Sequence, residues 1–168
     1  MSLACLRSFF FPGLLASLSV LAGSYWLEPI VGLAPCALCL SQRLMLALYA
    51  LVCLLALVHG PRRRGRRRYA WLAALCALAG VWLAGRQVWL QGEVLPPAGC
   101  PLPPGPLLDQ PVGDVLGRLL LGGPDCVSIS WSFLDLTLPE WSLLSFVLLA
   151  VPPVSWLLTY RFRQLVTA

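Results

Sequence analysis

Two cysteines two residues apart, Cys36-Ala37-Leu38-Cys39, are the residues best placed to do chemistry. A disulfide between them closes a very small loop, so it removes little entropy from the unfolded chain. Its value is therefore chemical: the pair can cycle between dithiol and disulfide. The pair follows Pro35 and precedes a long apolar stretch, which places it at a helix start. The positive end of a helix dipole favours a thiolate, and thiolate is the reactive form of sulfur. Arg43 lies four residues after Cys39, one helical turn deeper on the same face. A charge this far into an apolar segment is costly, which marks it as a site residue able to stabilise a thiolate or a reduced acceptor. Gln42 stands beside it.

The elements that carry these residues are apolar. Of 168 residues, 59% are hydrophobic and 11% charged, and the mean hydropathy is +0.81. That leaves too little polar surface for a water-soluble shell. A membrane span needs roughly 20 mainly apolar residues, and four stretches qualify: about 9–27, 38–58, 69–89 and 141–160. The last contains Pro152 and Pro153, which should kink or locally open it. The first could instead be read as a signal peptide, but its apolar run is longer than a signal needs, and Tyr25 and Trp26 follow as interfacial anchors.

Charge sets the orientation. All twelve basic residues are arginines. Arg7, the run from Arg62 to Arg68, Arg161 and Arg163 fall at the two ends of the chain and between the second and third spans, with no acid near them. All seven acids lie in the other connections. This is a positive-inside pattern with both termini cytoplasmic. Set between two apolar stretches, the arginine run is a topology anchor rather than a nucleic-acid site.

The expected architecture is a single all-α membrane domain over 1–168, a four-transmembrane-helix bundle. Two loops face outward, at about 28–37 and 90–140. The long one opens with an irregular Pro/Gly-rich stretch and then carries a short amphipathic helix. Leu108, Val112, Val115, Leu116, Leu119 and Leu120 share one face of that helix. It could lie flat on the membrane or pack on the bundle. Trp131, Phe133 and Trp141 mark the return to the interface.

This topology sorts the seven cysteines. Cys5 lies at the cytoplasmic end, and Cys53 and Cys76 fall inside spans, where cysteine behaves as a small apolar residue. Cys36, Cys39, Cys100 and Cys126 all face outward, an even number in an oxidising compartment. Four cysteines could bind zinc. However, Cys100 and Cys126 do not repeat the C-x-x-C spacing, and the one histidine, His59, is on the far side. Cys100 and Cys126 could simply staple their loop. Beside a C-x-x-C, they suggest instead a relay that passes electrons by disulfide exchange. Arg86 and Gln87 close the third span at the depth of Arg43 and could line the same pocket.

Pro35-Cys36-Ala37-Leu38-Cys39-Leu40-Ser41-Gln42-Arg43 resembles the P-C-x-L-C-x-x-Q-R signature of the DsbB family of disulfide bond formation proteins. Trp89-Leu90-Gln91 after the third span is similar too, as are Trp131-Ser132-Phe133-Leu134 and Pro139-Glu140-Trp141 before the fourth. The resemblance implies an inner-membrane thiol oxidase that reoxidises a periplasmic, thioredoxin-fold DsbA-like protein. It passes the electrons to quinone (ubiquinone or menaquinone) and needs no metal. By position, Cys100 would form the mixed disulfide with the partner and Cys126 would complete that pair. Cys36 would take electrons from the loop pair, Cys39 would stand beside the quinone, and Arg43, Gln42 and Gln87 would border it. One departure is visible: the family often has histidine where this chain has Gln87. An amide can donate a hydrogen bond but cannot carry a proton as imidazole can.

Two other readings fit less well. The vitamin K epoxide reductase class also uses a helical bundle and cysteine pairs, but is expected to place its quinone-facing C-x-x-C late in the chain. In a non-enzymatic membrane scaffold or transporter subunit the cysteines would only staple the outer loop; such a structural disulfide should resist mild reduction, whereas a catalytic one should exchange with a thioredoxin-like dithiol.

Overall fold

The computed structural model describes residues 3–31, 36–61, 63–92, 132–133 and 135–166, together with Gly113, Gly117, Leu119, Leu120 and Gly122. Cys100 and Cys126, and most of the expected amphipathic helix, lie outside the described residues. Four long helices dominate: α1 (Leu3–Val31), α2 (Ala37–His59), α3 (Arg63–Gly92) and α4 (Leu138–Val166). Within them, Phe9–Leu27, Ala37–His59, Gly65–Gln91 and Leu138–Phe162 are long and apolar enough to cross a membrane. The chain is an all-α, multi-pass membrane protein. α1, α3 and α4 outrun their apolar stretches. α3 starts at Arg63, and arginine is a good helix former.

Consecutive helices pack on each other, α1 on α2, α2 on α3 and α3 on α4, and a slighter α1–α4 contact closes the bundle. Leu44, Leu48, Leu51 and Leu55 of α2 and Leu72, Leu75, Leu78 and Trp82 of α3 point outward. Helices that are apolar on both faces suit lipid outside and protein inside. Between helices the fit depends on small residues. On α3, Ala70, Ala73, Ala74, Ala77 and Ala84 are buried along one face. Gly80 sits in the same stripe, and a Cβ there would overlap the ring of Phe146 from α4.

The paired prolines do not break α4, which runs through both. Pro153 is fully buried, and its missing N–H leaves the Leu149 carbonyl, four residues back, without its helical donor. The Tyr49 hydroxyl on α2 donates to that carbonyl at 3.2 Å. The opening expected from sequence is thus filled by a neighbouring helix. Gly13 lets α1 close over the same spot, since a Cβ there would come within 3.1 Å of the Tyr49 hydroxyl.

At the other end, a small hairpin leads into α4. β1 (Ser132–Phe133) pairs antiparallel with β2 (Leu136–Thr137), with Asp135 at φ 60° in the turn. Glu140 then caps the start of α4, reaching back as the acidic half of a capping box does: the Thr137 N–H donates to Glu140 Oε2 at 2.6 Å, and the Thr137 hydroxyl donates to the same oxygen at 2.9 Å. The T-x-x-E spacing was the available sequence signal for this cap. Gln91 Oε1 lies 3.3 Å from the same hydroxyl, which brings the end of α3 beside the start of α4, although the shorter contact to Glu140 takes the proton.

Candidate functional site

The C-x-x-C sits where α2 begins. Cys36 is the N-cap residue, with extended φ/ψ, and its carbonyl accepts the first helical hydrogen bond from Leu40 N–H at 3.1 Å. Cys39 lies in the first turn. Both side chains are partly buried, and their sulfurs are 3.0 Å apart. At that distance one can hydrogen-bond to the other as thiol to thiolate. Between them Leu38 is completely buried against Leu83 and Leu90 of α3. That anchor turns the two cysteines on either side of it to the edge of the bundle.

α3 supplies the next partner. Gln87 Nε2 lies 3.4 Å from Cys39 Sγ and 3.6 Å from Cys36 Sγ. Its other atom, Oε1, accepts a hydrogen bond from Gln42 Nε2 at 2.7 Å. Both glutamines are 5% exposed, so water competes little for these bonds. A longer approach, 4.0 Å from Cys39 Sγ to Gln87 Oε1, is at the limit for sulfur, and the Nε2 contact governs. Of the residues singled out from sequence, Cys36, Cys39, Gln42 and Gln87 are thus brought into one cluster.

Arg43, one turn deeper than Cys39, reaches towards α1. It donates to the Ser24 carbonyl at 3.0 Å and lies over the Tyr25 ring at 4.5 Å. These contacts keep a guanidinium at the depth of the dithiol and explain the tyrosine at the end of the first span. Arg86, beside Gln87, has its Nε buried without a hydrogen-bond partner among the described residues.

Sequence reasoning missed two contributors. The Ser41 hydroxyl is buried and lies 2.8 Å from the Leu119 carbonyl and 3.2 Å from the Ala37 carbonyl. A hydroxyl has one proton to give, and the shorter contact takes it. Gly122, at φ 81°, seats against α2 and α3, where a Cβ would come 2.7 Å from Leu38 Cδ1 and 2.9 Å from Leu90 Cδ1. Leu119 and Leu120 are helical. The loop therefore docks on the bundle beside the C-x-x-C at Leu119 and Gly122, which favours packing over lying flat on the membrane for these two residues. Serine inside the signature and glycine in a polar loop gave no signal of this contact, because their partners are remote in sequence.

A four-helix membrane bundle that holds a dithiol at one edge, bordered by buried amides and a stacked guanidinium, belongs to the class of membrane proteins built for thiol–disulfide chemistry. The comparisons with known proteins agree. The family model for disulfide bond formation protein DsbB matches residues 6–155. The chain is 66% identical over 164 residues to a protein named disulfide bond formation protein B 2 from Pseudomonas entomophila, covering 98% of both chains. It is 57% identical to a protein of the same name from Pseudomonas putida, covering 96% of both. It is 42% identical to disulfide bond formation protein B 1 from Pseudomonas aeruginosa, covering 88% of this chain and 91% of that one. This chain belongs to the DsbB family, and disulfide bond formation is its class of activity.

Proposed function

We propose that this protein is an inner-membrane thiol oxidase, with both termini cytoplasmic, that reoxidises a periplasmic DsbA-like dithiol protein and delivers the electrons to membrane quinone. The observation that carries this reading is the paired sulfurs of Cys36 and Cys39 at the mouth of α2, 3.0 Å apart and within reach of Gln87. A dithiol at the edge of an apolar bundle is open to an oxidant dissolved in the bilayer, and the loop bearing Cys100 and Cys126 can meet a soluble partner.

In the proposed relay, a thiolate of the donor protein attacks Cys100 of a Cys100–Cys126 disulfide and releases Cys126 as thiolate. The donor's second thiolate then displaces Cys100, leaving the donor oxidised and the loop pair reduced. A loop thiolate next attacks Cys36 of a Cys36–Cys39 disulfide and releases Cys39 as thiolate. The second loop thiolate resolves the mixed disulfide, so the two electrons now reside on Cys36 and Cys39. Quinone, when bound, supplies a two-electron, two-proton acceptor that lets Cys36–Cys39 reform. The donor set suits it: Arg43 and Gln87 are hydrogen-bond donors able to serve carbonyl oxygens, and Gln42 holds Gln87 in place. No metal is called for.

The test is quinone reduction by the purified protein in detergent, with a reduced DsbA-like protein as donor, in the parent and in Cys39→Ser and Cys100→Ser. Quinone loss in the parent, abolished by either substitution, is the expected result. Activity that survives Cys39→Ser, or an intact, quinone-supplied parent without activity, would leave a scaffold with a stapled loop as the better reading.

A further inference from the structure

The buried amides do more than fill space. We propose that Gln42 and Gln87 form a coupled pair in which Gln87 donates a hydrogen bond to whichever C-x-x-C sulfur carries negative charge, while Gln42 acts only by fixing which way the Gln87 amide faces. The role assigned to the sulfurs rests on the proposed oxidase reading.

An amide has one donor end and one acceptor end. Gln42 Nε2 occupies the acceptor end of Gln87 at 2.7 Å. The donor end is thereby left aimed between the sulfurs, 3.4 Å from Cys39 and 3.6 Å from Cys36. Those two distances are nearly equal, so a small shift serves either sulfur. Every step of disulfide exchange at this pair puts a thiolate on one of them, and a hydrogen bond to an ionised acceptor is roughly twice as strong as a neutral one. Burial of both glutamines keeps that interaction from being diluted by water.

The pair also has a second complete arrangement. If both amides turn over, Gln42 Oε1 accepts from Gln87 Nε2, and Gln87 Oε1 faces the sulfurs, ready to accept from a thiol S–H. The same two side chains thus suit thiolate and thiol, and neither has to gain or lose a proton. A glutamine at position 87 can therefore serve the sulfurs directly, without the proton-carrying chemistry an imidazole would bring.

The test uses the full-length reduced protein in detergent and needs neither quinone nor donor protein, so its failure is distinct from failure of the oxidase reading. Iodoacetamide labelling at neutral pH is followed on the Cys39 peptide by mass spectrometry, alongside ultraviolet thiolate absorbance. Gln87→Met, similar in size but without a donor, should slow Cys39 labelling about tenfold and lower the thiolate absorbance. Gln87→His, which restores an N–H, should recover most of both. Gln42→Met should give a smaller loss, and Gln42→Met combined with Gln87→Met should label like Gln87→Met alone. Should Gln87→Met fail to fold, Gln42→Met still reads the pair, because Gln42 has no role at the sulfurs of its own. Parental labelling in a folded Gln87→Met variant would overturn the proposal, as would a further loss when the two substitutions are combined.

Discussion

Tyr49 offers the most direct test of how this bundle tolerates a buried proline. Its hydroxyl donates at 3.2 Å to the Leu149 carbonyl, the acceptor that Pro153 leaves without a helical donor. Tyr49→Phe removes one oxygen and little else, because the ring is 3% exposed and stays packed. The carbonyl then has no donor in an apolar interior. Hydrogen bonds between membrane helices average about 0.6 kcal/mol, with a maximum near 1.7, because the unfolded state in the membrane also finds partners. A proline-freed carbonyl has fewer such partners, so the cost should fall in the upper half of that range. The cause is checked by a double-mutant cycle. Pro153→Ala returns an N–H to position 153, and the helix can satisfy Leu149 itself. In that background Tyr49→Phe should cost only what the hydroxyl's contact with Cys53 is worth, so the coupling energy should equal most of the single-mutant effect. Unfolding by denaturing detergent from mild micelles, followed by helical circular dichroism, gives the four free energies. An equal cost of Tyr49→Phe in both backgrounds would refute the argument and reduce the hydrogen bond to incidental packing.

Two further expectations follow from close contacts. Gly80→Val places a side chain into the Phe146 ring and should destabilise the α3–α4 interface by about 1–3 kcal/mol, the usual range for overpacking; parental stability in the same unfolding assay would show that the helices have room to part. Gly122→Ala meets both Leu38 and Leu90 at a φ that disfavours any side chain, and should undock the loop beside the C-x-x-C. Cys126 lies four residues on, within about 14 Å of Gly122 by chain length alone, so undocking should slow quinone reduction driven by a DsbA-like protein several-fold. Reduction driven by a small dithiol, which can reach Cys36 and Cys39 without the loop, should hold; equal loss with both donors would contradict this role for Gly122.

Much of the molecule was legible in its sequence. A bilayer leaves a spanning segment only an α-helix or a closed β-barrel, and four continuous apolar runs of roughly 20 residues fit the helix; the C-x-x-C with Arg43 one turn below it pointed to the candidate site by spacing alone. Gln87 was placed near that site by depth in the third span, but its actual partners were not readable: a span fixes how deep a residue lies and leaves its rotation about the helix axis open. The cap that Glu140 places on Thr137 was readable in principle from T-x-x-E, a local pattern.

The sequence by itself determined the class of architecture and the family, and it singled out the candidate dithiol, since hydropathy, charge and short motifs depend on neighbours along the chain. Only the tertiary structure decided that Gln42 turns Gln87 towards the sulfurs, that Tyr49 completes the hydrogen bonding around Pro153, and that Gly122 and Ser41 seat the loop on α2 and α3. Each of these contacts joins residues dozens of positions apart, and their partners follow from how helices rotate and approach one another, a consequence of packing small residues such as Gly13, Ala77 and Gly80 against large ones across the whole bundle.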